Sequence, residues 1–188
     1  MLRSYYSAPI HEFLATSSDE ILGILGKQNE FTLIQTQRDA WLEEIRILKK
    51  TLWLYQGTIY FEYNIPRMGK RIDVLLIIGS VIFVLEFKIG ETEFPSYAID
   101  QVWDYSLDLK NFHETSHDQI IAPILISTRA SVDFFSVSVT PEIDKTILPI
   151  RSNVVTFPEV IEAVLSFSEG IAIDSSAWEK GRYCPTPT

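Results

Sequence analysis

Gly79-Ser80 stands between two apolar runs of strand length, in RIDVLLIIGSVIFVLEFKIG at positions 71–90, and constrains the fold more than any other feature of the chain. Two residues make a tight hairpin loop, and Gly at the first supplies the positive φ of a type II′ turn. The register then follows. Ile78 faces Val81, and stepping back from the turn sets Asp73 opposite Glu86 and Arg71 opposite Lys88. Both alternate sets, Ile72, Val74, Leu76, Ile78 and Leu75, Ile77, are apolar, which predicts a hairpin covered on both faces. Charges placed in such a sheet are unfavourable unless they find partners.

Like charges directly opposite one another, roughly 4.5–5.5 Å apart at Cβ, destabilise a sheet. A divalent cation bridged by Asp73 and Glu86 removes that conflict, and Mg²⁺ suits it because it takes hard oxygen ligands and keeps several waters. Lys88 shares the parity of Glu86, so its ammonium reaches the same face. Solvated edge charges are the competing reading of Glu86 and Lys88, and the two-sided apolar pattern weighs against it. Arg71 against Lys88 poses the mirror problem, which a bound phosphate would answer.

Around this hairpin the pattern reads α, β, β, β, α, β. Residues 7–29 read as two short helices, the second opened by Ser17 with Glu20 three residues on, a capping box. Trp41, Ile45, Leu48 and Leu52 form a helical stripe from Gln35 onward. TIYFEYNIP supplies a strand before the hairpin. Pro95 opens a helix whose Ala98, Val102, Tyr105 and Leu109 share a face, and the strand IIAPILIS follows. FFSVSV and SNVVTF read as short strands, and PEVIEAVLSF reads as a helix with Pro158 in its first turn.

The 188 residues are expected to form one domain over 1–175: a helical extension at 1–30, a core at 31–130, and closing strands and helix at 131–175. The stretch 176–188, ending Pro-Thr-Pro-Thr, reads as a linker. With 46% hydrophobic and 22% charged residues the composition is that of a folded globule. A formal charge of -9 speaks against a protein that grips nucleic acid over its whole surface, though not against a local basic patch. The single cysteine, Cys184, excludes an internal disulfide framework. No signal peptide or membrane-length apolar run is seen, so the expected location is cytoplasmic, with no membrane partner.

Asp73, then Glu86-Phe87-Lys88 on the next strand, after a helix and one strand, resembles the PD-(D/E)xK nuclease superfamily. The order α-β-β-β-α-β is similar to its restriction-endonuclease-like core, an α/β fold with a mixed central sheet flanked by helices. Ile72 stands where the motif's nominal proline would be, and proline supplies no catalytic group. The likeness covers Thr32 to Ser127. The family implies a glutamate on the helix before the strands. Of Glu43 and Glu44, Glu44 flanks the apolar stripe while Glu43 points away, a solvated helix carboxylate being the competing reading of Glu44. Gln101-Val-Trp-Asp-Tyr105 matches the Q-x-x-x-Y helix signature of the RecB-like branch, one i,i+4 pair on one face. A plain core role is the competing reading of Tyr105. TQRDAWLEEI, IPRMGKRIDVLLIIG, LEFKIGE and YAIDQVWDYSLDLKNFHETSHD also resemble the N-terminal part of bacterial proteins that fuse such a nuclease to a Schlafen-like superfamily 1 helicase.

The resemblance implies a metal-dependent nuclease acting on phosphodiester bonds, of DNA more than RNA, in repair or defence. A helicase region would lie downstream, since no P-loop occurs here. Asp73, Glu86 and the Phe87 carbonyl would hold Mg²⁺, with Mn²⁺ as a substitute. Lys88 would orient or help deprotonate the attacking water, and Glu44 and Gln101 would complete the catalytic set. Arg67, Lys70 and Arg71 form the densest basic cluster nearby and, with Gln101 and Tyr105, are the expected nucleic-acid contacts. A solvated basic turn is the other reading of the three cations.

Two rivals remain at this level. A catalytically inactive nuclease fold that binds nucleic acid or a partner protein is one. The other is a zinc metalloprotease, because His113-Glu114-Thr115-Ser116-His117 spells H-E-x-x-H. That stretch falls at the expected end of a helix, where histidines are favoured by the dipole alone.

Overall fold

The computed structural model describes residues 3–28, 35–140 and 146–184. The first residues of the expected core at 31–130, where the family likeness from Thr32 also begins, and the terminal Pro-Thr-Pro-Thr therefore lie outside the described residues. Six strands form one mixed sheet in chain order: β1 (Tyr6–Pro9), β2 (Thr58–Ile65), β3 (Lys70–Ile78), β4 (Val81–Lys88), β5 (Ile120–Ser127) and β6 (Ile150–Ser152). The first four pair antiparallel, while β4–β5 and β5–β6 pair parallel. Parallel neighbours need a crossover, and α4 (Ser96–Phe112) supplies the one between β4 and β5. The chain is thus an α/β protein with helices on both faces of the sheet.

One face carries α1 (Ile10–Ala15), α2 (Ser18–Gln28), α3 (Gln35–Thr51) and α5 (Phe157–Phe167). The other carries α4 and the short α6 (Ser175–Glu179). Ser17 Oγ accepts from the Glu20 amide at 3.2 Å, half of the expected capping box. Cover on both sides explains why β4 is apolar almost throughout. No helix among the described residues is long and apolar enough to cross a membrane.

The hairpin register is the expected one from Ile78↔Val81 to Val74↔Leu85. Gly79 has φ 58, while Ser80 is not among the positive-φ residues, the sign pattern of a II′ turn. The paired ladder stops at Val74, so Asp73↔Glu86 and Arg71↔Lys88 are not formed as cross-strand pairs. Along β4 facing alternates strictly: Val81, Phe83, Leu85 and Phe87 pack with the α1–α3 layer, Ile82 and Val84 with α4. Along β3, Val74, Leu76 and Ile78 join the first layer, yet Ile72 lies in the second. β2 does the same: Ile59 and Phe61 face the first layer, Tyr63 and Ile65 the second.

Both strands therefore reverse facing at one step, and the residues at that step are Glu62 and Asp73. This is the step absent from the β2–β3 ladder, which pairs Phe61 with Val74 and resumes with Tyr63 and Ile72. Glu62 has φ 53, alone among the described non-glycine residues in being positive. A left-handed backbone costs a side-chain-bearing residue on the order of 1–2 kcal/mol.

Four expectations are corrected. Residues 7–9, read as the start of a helix, belong to the strand β1 and pair antiparallel with β2. FFSVSV is not a strand; only Val139 makes an isolated bridge, to Ile147, and Phe134 is 82% exposed. SNVVTF is not one either: β6 ends at its Ser152, and the Asn153 side chain then accepts from the Val155 and Thr156 amides to turn the chain into α5. The stretch from Ser175 to Tyr183 is no linker. Trp178, 2% exposed, packs against Tyr60, Tyr63 and His113, and its indole donates to Ser116 Oγ at 2.8 Å.

Candidate active site

Beyond the last rung of the hairpin, β3, β4 and α3 enclose a cleft of about 520 Å³ lined by Trp41, Glu44, Glu62, Asp73, Glu86 and Lys88. A groove of about 490 Å³ lies at the other end of the strands, beside Ser80 and Trp178. Two of its acids are engaged: Glu114 by Arg182, and Asp174 as the N-cap of α6. The carboxylates of the 520 Å³ cleft are in a different state.

Glu86 is 2% exposed, and its Oε1 accepts from Lys88 Nζ at 2.8 Å and from Gln101 Nε2 at 2.9 Å. Its Oε2 is buried with no partner among the described residues. Burial, then the charge of Asp73, pushes the carboxyl up to about 8 against the pull of Lys88. Asp73 Oδ2 accepts from the Phe87 amide at 2.8 Å, so the side chain takes the place of a backbone partner where the ladder ends. Burial lifts Asp73 to about 6, with the Phe87 N–H and Lys88 opposing. In an extended strand the N–H and C=O of one residue share an edge. The Phe87 carbonyl therefore also lies on the β3 side, past the end of the pairing.

The structure places Glu44 in the cleft and Glu43 outside it, where Glu43 pairs with Arg46 at 2.9 Å. Glu44 is 5% exposed, and its Oε2 also lacks a partner among the described residues. Burial, followed by the charges of Asp73, Glu62 and Glu86, raises its carboxyl well above the ordinary range. Burial alone would lower the Lys88 pKa, but its hydrogen bond to Glu86 and the charges of Glu86 and Asp73 prevail and raise it. Lys88 is a firmly held cation here.

Gln101, on α4, donates from one amide nitrogen to both Glu86 and the Tyr105 hydroxyl, the latter at 2.8 Å. Tyr105 reaches from the core to Gln101. Its ring is core, and its hydroxyl, pushed up to about 12 by burial and by the charge of Glu86, braces Gln101.

Glu62 escaped the sequence reading. Trp41 Nε1 donates to its Oε1 at 2.9 Å, and burial raises its carboxyl to about 7 although the Trp41 bond pulls the other way. The signal was present: an acid in the middle of TIYFEYNI, an otherwise buried strand, is as anomalous as those in the hairpin.

The basic cluster is dispersed. The Arg67 guanidinium lies 3.3 Å from the centre of the Phe112 ring, at the end of α4. Lys70 is exposed. Arg71 aligns with Asn64 of β2 and lies 4.4 Å from the Tyr5 ring centre. The expected Arg71–Lys88 pair is replaced by Arg71 on Tyr5 and Lys88 on Glu86, because the reversal at Asp73 separates Arg71 from β4. Of the three, Arg71 retains an electrostatic link to the cleft, through Glu62.

The H-E-x-x-H letters do not lie on one helix. His113 ends α4, and Glu114–Ser116 form a 3-10 turn. His113 Nδ1 is bound to Ser116 Oγ at 2.7 Å, and Glu114 is held by Arg182. The i,i+4 presentation needed for zinc is missing.

Among the described residues no three acid, histidine or cysteine side chains stand close enough to hold an ion as they are. Glu86 Oε1 is already engaged by Lys88 and Gln101. The donor set nonetheless fits a hard cation. It is all oxygen, and two of its members, Glu44 Oε2 and Glu86 Oε2, are buried without partners. Comparison of the chain with protein-family models, curated proteins and solved structures finds no match in any of the three.

Proposed function

We propose that the chain is a metal-dependent nuclease of the PD-(D/E)xK type that hydrolyses nucleic-acid phosphodiester bonds, DNA in preference to RNA. The observation that carries this reading is the buried Glu86, bound by Lys88 and Gln101 beside Asp73 and Glu44 in one cleft. A pure scaffold has no use for acids packed together with unpaired oxygens.

Asp73, Glu86 and the Phe87 carbonyl would hold Mg²⁺, or Mn²⁺ in its place. When bound, the ion neutralises charge on the scissile phosphate and acidifies a water. Lys88 stays protonated, so its part is to orient the water and offset phosphate charge rather than to remove a proton. Gln101, held by Tyr105, fixes Glu86 and offers an amide to the same region. Water attack forms one P–O bond and breaks the ester P–O bond; the attacking water gives up a proton to solvent and the leaving oxygen takes one up from it. A downstream helicase and a role in repair or defence extend the proposal through the family resemblance.

Cleavage of labelled DNA and RNA with Mg²⁺ or Mn²⁺ is the test, comparing wild type with Asp73→Asn. Cutting by wild type and a loss of about 100-fold or more in the variant is expected. Equal cutting by both overturns the site. Binding without cutting by either would support the inactive, binding-only fold instead.

A further inference from the structure

Resting on that reading, we propose that Tyr97, Phe94 and Arg151 form a track that leads an unpaired nucleic-acid strand away from the cleft, with Tyr97 as the stacking platform for a base beside the scissile phosphate. Tyr97 stands in the first turn of α4, 61% exposed, and Lys88 Nζ lies over its ring, 5.5 Å from the centre. Gln101 follows one turn along the same helix, so Tyr97 shares a face with the amide that binds Glu86. A lone exposed tyrosine is ordinary. The independent observation lies on β6. Arg151 aligns with Leu125, and Leu125 with Glu86, so the three form one row of the sheet facing the α4 layer. At strand spacings of roughly 4.7–4.9 Å, the Arg151 backbone is about 10 Å from β4. Arg151 is exposed and has no ion pair among the described residues, and its guanidinium lies 6.0 Å from the Phe94 ring centre. It also lines a groove of about 400 Å³ with Ile99, Phe134 and Leu148.

Chemistry narrows the ligand. Two cations, Lys88 and Arg151, each stand beside an aromatic ring, an alternation that takes phosphates and base faces in turn. Those faces are free in a single strand and covered by their neighbours in a duplex. Stacking accepts any base, so the track selects strandedness rather than sequence. The rival explanation is that Tyr97 only steadies the Lys88 ammonium, which would serve paired and unpaired substrates alike.

Fluorescence anisotropy of a labelled oligothymidylate, alone and annealed to oligoadenylate, separates these when the full chain is titrated with Ca²⁺ in place of Mg²⁺ to limit cutting. Wild type is expected to bind the single strand more tightly than the duplex. Tyr97→Ala should lose about fivefold or more in affinity for the single strand alone, while Tyr97→Phe, which keeps the ring, should lose less than about twofold. Arg151→Ala should weaken the single strand and lower its salt dependence by about one phosphate contact. Trp53→Ala removes another exposed aromatic, one that adjoins α1 and α3, and should change neither affinity. Cutting of the same strands in Mg²⁺ keeps the two proposals apart. If wild type cuts but Tyr97→Ala binds the single strand unchanged, or loses both substrates equally, the track falls and the nuclease reading stands. Tyr97-dependent binding without any cutting upholds the track and overturns the nuclease. Preference for the duplex, or no binding of the single strand, overturns the track.

Discussion

Lys88 Nζ lies 2.8 Å from Glu86 Oε1 and is the sole cation bound directly to that buried carboxylate among the described residues. Burial and the charges of Asp73 and Glu62 act against its ionisation. Lys88 therefore both stabilises the ionised form of Glu86 and stands ready for a phosphate. The side chains are 20% and 3% exposed, so solvent screens the pair little.

Lys88→Met is predicted to strand Glu86 in a buried site without its cation. Urea unfolding near pH 9.5 should show a loss of about 2–4 kcal/mol, shrinking near pH 6, where the Glu86 carboxyl, pushed up to about 8, is protonated with or without Lys88. Equal losses at the two pH values would mean that the pair contributes packing rather than charge.

Stability of the metal-free protein is expected to fall as pH rises from about 6.5 to about 8. Carboxyls of an unfolded chain titrate near 4. Folded Glu62 and Glu86 titrate at about 7 and about 8, so in that window the folded state binds protons that the unfolded state has released. Unfolding then becomes more favourable with each step up in pH. Below about 6.5 the buried His113, held down to about 4 chiefly by burial, works in the opposite direction and flattens the profile. A drop of a few degrees in Tm across the upper window, cancelled by millimolar Mg²⁺, is the expected result. A rising Tm there would contradict the assigned charge states.

Glu44→Gln removes a buried, partly unsatisfied acid without changing its shape. The apo protein should gain on the order of 1 kcal/mol near pH 8 and bind divalent ions more weakly, a trade of stability against function. Differential scanning calorimetry with and without Mn²⁺ measures both. A destabilised apo variant would show that the carboxyl has a structural partner.

Trp178→Ala is predicted to cost about 3–5 kcal/mol, since the indole fills the space between Tyr60, Tyr63 and His113. Divalent-ion binding at folded conditions should be unchanged, because the indole packs in the α4–α6 layer and lines no part of the acidic cleft. A loss under 1 kcal/mol in chemical denaturation would return 175–183 to the status of a loosely attached tail.

Turn chemistry and parity made much of this legible. Gly79-Ser80 set the hairpin rungs because a two-residue loop admits one register, and the helical wheel separated Glu44 from Glu43. Where the sequence reading went astray, it trusted period-2 alternation through Asp73. The pleat reverses there, so Arg71 left Lys88, and Asp73 met the Phe87 amide instead of standing in a rung with Glu86. Trp178 could not be foreseen from periodicity because a single aromatic docking on a distant cluster has none. FFSVSV alternates like a strand but has only an isolated bridge to pair with.

The coupled reversal at Glu62 and Asp73 also works as a fault line in the sheet. On either side of it the same strands address different helical layers, so removing one residue at that seam from β2 alone would turn Tyr63 and Ile65 toward the wrong layer while β3 kept its own. The two acids can be moved only together. Any drift in this part of the chain is then expected to alter both strands in concert or neither, and the geometry of the cleft is guarded by the core that surrounds it.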